Sequence, residues 1–261
     1  MATVRDNGPS RNSACSNWRR FRATLAVLTG AALLSQASGE STIVISHVFN
    51  GYKRERLQDG HYRQETYVFA EGGLMNEERI GGDTVNTIGF EEVARTVAPA
   101  LNSQNFIPSK DQDSIEQLIV LWYGTTINTQ HDSVKRFNDT PFNRKKNAQI
   151  LGWERDLNRI APLSWTDVAT NFMTEFKAGR YFVVLKAYDF QVARTEKRLK
   201  LLWESRFSIQ RQGVDFTAEL PAMAHSVAST FGKETGGIIQ REPPEGHVEI
   251  GDLVVVGESA P

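Results

Sequence analysis

The chain has one cysteine, Cys15, and it lies near the N-terminus. Everything after residue 39 must therefore fold without a disulfide, and thiolate chemistry and cysteine-based zinc sites are excluded there. No apolar run reaches the roughly 20 residues that a membrane-crossing helix needs. The histidines, His47, His61, His131, His225 and His247, never stand three or four residues apart, so no local metal clamp exists. The glycines at 72, 73, 81, 82 and 89 match neither G-x-G-x-x-G nor a P-loop, and they read as a loop. No G-x-S-x-G elbow nominates a serine nucleophile. Asp111, Asp113 and Glu116 lack the D-x-D-x-D-G register of a calcium loop. No metal or cofactor is expected.

What is present begins with a leader. Arg19, Arg20 and Arg22 form a basic region, Ala23 to Leu34 is a short apolar run, and Ser35 to Gly39 is rich in small residues. This is the layout of a secretory signal peptide, with cleavage expected after Ala37 or Gly39. Cys15 precedes the apolar run, so it cannot be the lipidated residue left by a cut. The polar stretch Met1 to Asn17 is long for such a leader, as a start codon further in would explain. Five arginines against one aspartate give the leader +4, which leaves −5 for the rest of a chain whose total is −1. A mildly acidic exported protein has no global attraction for nucleic acid or anionic membrane.

Three segments are expected: leader 1–39, a single α+β domain over 40–235, and a strand-like tail over 236–261 hinged at Gly236, Gly237 and Pro243, Pro244. Thr42 to Phe49 reads as a strand, the charged stretch Lys53 to Arg63 as a solvated loop, and Glu65 to Ala70 as a strand ending at Gly72 and Gly73. Phe90, Val93, Ala94, Val97 and Leu101 fall at helical spacing, with Pro99 bending or ending the helix. Gln117 to Tyr123 is a near-continuous apolar run, as a strand covered on both faces would be. Asp139, Thr140 and Pro141 start a helix whose stripe is Ile150, Trp153, Leu157 and Ile160, and a further helix follows Trp165. Tyr181 to Phe190 and Leu199 to Gln210 form an antiparallel hairpin across a polar loop. If that loop is centred near Thr195, Lys186 lies opposite Glu204. Asp215 to Phe231 is the last helix, complicated by Pro221, and His247 to Val256 is strand-like. The order suits a two-layer α/β sandwich, a mostly antiparallel sheet with amphipathic helices on one face.

Candidate chemistry is thin. Glu91 and Glu92 fit the first turn of a helix, where acids favour the positive end. His131 and Asp132 read as a polar loop. Arg144, Lys145 and Lys146, with Arg155 and Arg159 beyond, form either a solvated helix face or an anion-binding one for an acidic partner. Tyr188 and Asp189 end a central strand, a common place for ligand contacts.

Gly89–Val97, Leu101 and Gln104–Phe106, then an acidic loop and Leu118–Leu121, together with Gly179–Asp189 and Leu202–Ser208, resemble exported bacterial envelope and lipoprotein-like families of unknown function. The resemblance spans roughly residues 65 to 232 and implies a fold, with no catalytic residue carried over. The chain departs from the lipoprotein members in having no cysteine to lipidate. Two readings follow. The first is a non-enzymatic binding or assembly module of the bacterial cell envelope, periplasmic or extracellular, meeting an envelope protein or an acidic surface polymer. The second is a hydrolase of envelope or extracellular substrates, with its site near the Gly72–Gly89 loop and the strand end at Tyr188 and Asp189.

Overall fold

The apolar runs become a seven-stranded sheet in the order β3-β2-β4-β5-β6-β1-β7. The structure is a computed structural model that describes residues 41–76, 83–129, 140–160 and 167–243, all within one compact unit. The strands are β1 (Thr42–Val48), β2 (Glu65–Asn76), β3 (Phe106–Pro108), β4 (Gln117–Thr125), β5 (Arg180–Asp189), β6 (Leu201–Gln210) and β7 (Ile239–Arg241). Pairs β4–β5, β5–β6, β6–β1 and β1–β7 are antiparallel, whereas β2 runs parallel to both β3 and β4. The expected α+β class with a mostly antiparallel sheet is therefore present, and the sheet is open rather than barrel-closed.

The helices are α1 (Phe90–Asn102), α2 (Pro141–Leu151), α3 (Glu154–Ile160), α4 (Asp167–Lys177), α5 (Phe190–Glu196) and α6 (Phe216–Val227). Helix α1 carries the chain from β2 across to β3 and β4, the kind of crossover a parallel pair needs. It runs three residues past Pro99, and α6 runs through Pro221 from its cap at Asp215, which accepts from the Ala218 amide. The inner face of the sheet buries Tyr67, Leu121, Val183 and Trp203 against Val93, Val97, Leu220 and Met223 of α1 and α6. To the expected two layers the structure adds a third. Ile43, Ile45, Phe182 and Val184 face the opposite way and pack with Ile150, Leu151, Trp153 and Phe176 from the α2–α4 region. Two faces need covering because Tyr181 to Leu185 is apolar at every position.

Several boundaries differ from those read along the chain. β2 continues past Gly72 to Asn76 through a bulge between Glu71 and Gly73. The expected single helix over the Ile150–Ile160 stripe is broken at Gly152, whose φ of 77° is left-handed. A Cβ there would sit 2.9 Å from Arg206 Cδ and 3.1 Å from Ile45, so the break lets the chain press against the sheet. The polar loop between β5 and β6 holds the short helix α5, yet Lys186 does pair with Glu204. Ile239–Arg241, inside the segment expected as a tail, pairs with β1. The leader, Gly81 and Gly82, His131 and Asp132, Asp139, Trp165 and the strand-like 247–256 lie outside the described residues.

Candidate functional site

The outer face of the sheet changes character along its strands. On β5, Phe182 and Val184 are buried, but Lys186 and Tyr188 are half-exposed. The α2–α4 cover ends between them. At that border lies a groove of about 360 Å³, with Trp122, Val184, Met75 and Ile150 as its apolar surface. Lys146, Gln149, Lys186 and Arg206 supply the polar rim.

Pairing register puts these groups side by side. Trp122, Val184, Arg206 and Ile45 form one cross-strand row. Val120, Lys186, Glu204 and His47 form the next. Trp122 can lie flat because of Gly72: a Cβ on that residue would fall 2.3 Å from the indole ring. The glycine pair that reads as the end of a strand is thus a bulge that makes room for the groove floor.

The charges form one network. Glu204 accepts from Arg206 Nε at 2.5 Å and pairs with Lys186 Nζ at 2.9 Å. Arg206 Nη1 also donates to the carbonyls of Gln149 and Ile150, at 2.5 and 2.7 Å, in the last turn of α2. A cation at a helix C-terminus satisfies orphan carbonyls and offsets the dipole there. Burial alone would raise the Glu204 carboxyl; the hydrogen bonds and charges of Arg206 and Lys186 overcome it and hold the group below its ordinary range. Lys186 Nζ also lies 5.7 Å from the centre of the Trp122 ring. Among the described pairs of this network, Lys186 and Arg206 share the one carboxylate of Glu204, so the network carries an excess of one positive charge beside an aromatic floor. An apolar body with a negatively charged end fits that arrangement.

The structure divides the residues singled out from sequence. The basic stretch of α2 splits: Lys146 faces the groove, whereas Arg144 and Lys145 line a separate cleft between α2 and α3, with Glu154 and Leu157. Tyr188 stands on the open outer face beside Leu118, and burial raises its phenol. Asp189 is occupied structurally. It caps α5 by accepting from the Val192 amide at 3.1 Å and meets Lys200 Nζ at 3.3 Å. Of the hydrolase site expected near the Gly72–Gly89 loop and Tyr188–Asp189, residues 77–82 lie outside the described residues. Asp83, within that loop, accepts from Tyr181 at the far end of β5. Eight residues of strand, about 26 Å, separate Tyr181 from Asp189.

Sequence reasoning missed Trp122, Met75, Lys186 and Arg206 as groove residues. The alternation of Lys200, Glu204 and Arg206 with apolar neighbours signals a wetter face, but only pairing register assembles the row. Among the described residues no group of three or more His, Cys, Asp or Glu could hold a metal ion, and no helix is long and apolar enough to cross a membrane.

No family model matches the chain, and no characterised protein matches it in sequence. Among solved structures it is similar to a PDZ domain protein from Parabacteroides distasonis, at 12% identity and a TM-score of 0.36. That match covers 77% of this chain, which spans only 39% of the other. It is also similar to a DUF4136 family protein from Bacteroides thetaiotaomicron, at 13% identity and a TM-score of 0.34, over 72% of this chain and 94% of that one. Likenesses at this level carry no argument about site or activity.

Proposed function

We propose that this chain is an exported, non-enzymatic binding module of the bacterial cell envelope. Its groove between α2 and the outer sheet face takes an acidic, apolar segment of an envelope protein. The observation that carries this reading is the pairing of an aromatic floor, Trp122, with Lys186 and Arg206, two cations that share the carboxylate of Glu204. Hydrophobic burial supplies the affinity, and the excess positive charge selects an acidic partner and orients it. Export rests on the leader, with its basic, apolar and small-residue regions in order.

The test is a photo-crosslinking residue at Gln149, on the groove rim, carried by the full chain in bacterial cells, with a second at Thr96 on α1 as the remote control. One discrete adduct at Gln149, missing at Thr96 and lost when Lys146→Glu reverses the rim charge, supports the reading. A processed N-terminus after Ala37 or Gly39 in the captured protein supports export. Identical adducts from both positions, or an adduct indifferent to Lys146→Glu, would sink it.

A further inference from the structure

A second cluster of charge lies between β1 and β2, in the stretch that reads from sequence as a solvated loop. It is ordered by its own backbone bonds, Leu57 N–H to His61 at 2.8 Å and Arg63 N–H to Glu55 at 2.9 Å, and Arg56 bridges Tyr62. Three cations then gather on one tyrosine. Arg54 Cζ is 4.6 Å, Arg56 Cζ 5.4 Å and Lys233 Nζ 4.4 Å from the centre of the Tyr62 ring. A ring has two faces, so at least two of these like charges share one.

Each cation has a different relation to the rest of the protein. The Arg54 side chain is 1% exposed and pairs with buried Glu65 at 3.2 Å. Its guanidinium is layered between Tyr62 and Phe106, and its Nη1 is buried with no hydrogen-bond partner. Lys233 is brought in by Gly232, whose φ of 69° is left-handed and whose Cβ would fall 2.9 Å from Arg54 Cδ. Lys233 Nζ donates to the Ser229 carbonyl at 2.8 Å. Among the described residues no carboxylate pairs with Arg56 or Lys233, while the neighbouring Arg63 has both Glu55 and Glu116. Positive charge is therefore concentrated at Tyr62 without a matching anion.

We propose that Tyr62, Arg56 and Lys233 form a binding site for a phosphate group, backed by the buried guanidinium of Arg54. An ammonium, a guanidinium and a phenol are three donor groups from separate segments. They suit a tetrahedral oxyanion of more than one charge better than a planar carboxylate, which one arginine fork would satisfy. The field at the site also shows on the phenol: burial would raise it, but Lys233, Arg56 and Arg54 overcome that and hold it below its ordinary value. This site is separate from the groove and stands or falls independently of it.

The test titrates the full chain with inorganic phosphate at constant ionic strength, followed by calorimetry. Saturable one-site binding is expected, weakened about tenfold by Arg56→Gln and again by Lys233→Gln, as for the loss of one charged hydrogen bond each. Lys53→Gln, which removes a cation of the same loop that does not touch the ring, should leave binding unchanged. By reciprocity, phosphate should raise the ionisation midpoint of the Tyr62 phenol, read as the absorbance difference from Tyr62→Phe. No saturable binding, or equal weakening by Lys53→Gln, overturns the site. Phosphatidylglycerol vesicles, with phosphatidylcholine as the neutral control, identify the source. Pelleting lost in the Arg56→Gln/Lys233→Gln protein makes it a lipid headgroup, and phosphate binding without pelleting makes it a soluble phosphate; both support the site.

Discussion

Along β5 the two faces of one sheet follow different rules. Val183, Leu185 and Ala187 point toward α1 and α6 and are each fully buried, down to the last turn of the strand. On the other face Phe182 and Val184 are buried and Lys186 and Tyr188 are not. The inner face has helical cover along its whole length and is built of large aromatics: Trp203 stacks on Phe231 at 6.2 Å, and Tyr123 on Phe216 at 6.2 Å. Among the described residues, the helical cover of the outer face lies at one end, and charge begins where that cover stops. Stability should therefore reside mainly in the inner face, and ligand recognition in the outer one.

The largest expected difference tests that division with two tryptophans. Trp203 is fully buried and donates to Gln117 Oε1 at 2.9 Å; Trp122 is half-exposed on the groove floor. Trp203→Ala should lower unfolding stability in urea by about 3–5 kcal/mol, the range for a buried large-to-small change with its cavity. Trp122→Ala should lower it by about 1–2 kcal/mol, in keeping with partial burial, while abolishing the Gln149 adduct. Equal losses would mean that the outer face is as much a core as the inner.

Acid should act on the outer face. The Glu204 carboxyl is depressed in the folded protein, so its contribution is complete above the unfolded value and is lost as pH falls through the folded one. Glu204→Gln should lower stability at pH 7 by about 1.5–3 kcal/mol, the range for hydrogen bonds to charged groups, and flatten the acid limb of the stability profile. An unchanged acid limb in Glu204→Gln would remove Glu204 from the account of how α2 is tied to the sheet.

How much of this was written in the sequence depends on the length scale of the signal. The near-continuous Tyr181–Leu185 run and the alternating Leu201–Gln210 run announced a buried strand and a half-wet one, and a loop assumed to be centred near Thr195 placed Lys186 opposite Glu204, where the structure has it. Helix caps at Thr140 and Asp215 were local and readable. The third layer was not, because the stripe at Ile150, Trp153 and Leu157 shows that a helix packs against something but not which face of the sheet it covers. The groove was also hidden. Its floor and rim come from β2, β4, β5, β6 and α2, segments up to about 130 residues apart, and only strand register brings them together. Arg54 and Glu65 were hidden for a related reason. Their local neighbours are polar, and their burial comes from Phe106 and Gly232, far along the chain.

Alkali should act on the inner face, and the smallest predicted effect at neutral pH isolates it. Burial pushes the Tyr67 phenol up to about 12, and its Oη is buried without a hydrogen-bond partner. Burial, followed by the charges of Glu65 on Tyr52 and the Asp83 contact on Tyr181, raises those two phenols as well. A phenol raised on folding contributes stability that is whole below the unfolded value, about 10. That contribution is lost as pH climbs from there through the folded value. Tyr67→Phe removes an unsatisfied hydroxyl and keeps the ring against Phe69 at 5.0 Å, so its stability at pH 7 should equal or exceed the parent's by up to about 1 kcal/mol. Between pH 10 and 12 its stability should fall less steeply than the parent's, by as much as about 1.4 kcal/mol per pH unit for the one proton no longer released. The residual slope then belongs to the other raised phenols, Tyr52, Tyr123, Tyr181 and Tyr188. An alkaline limb that Tyr67→Phe leaves untouched would show that the hydroxyl has found a partner in solution, and that the inner face is less dry at β2 than its burial implies.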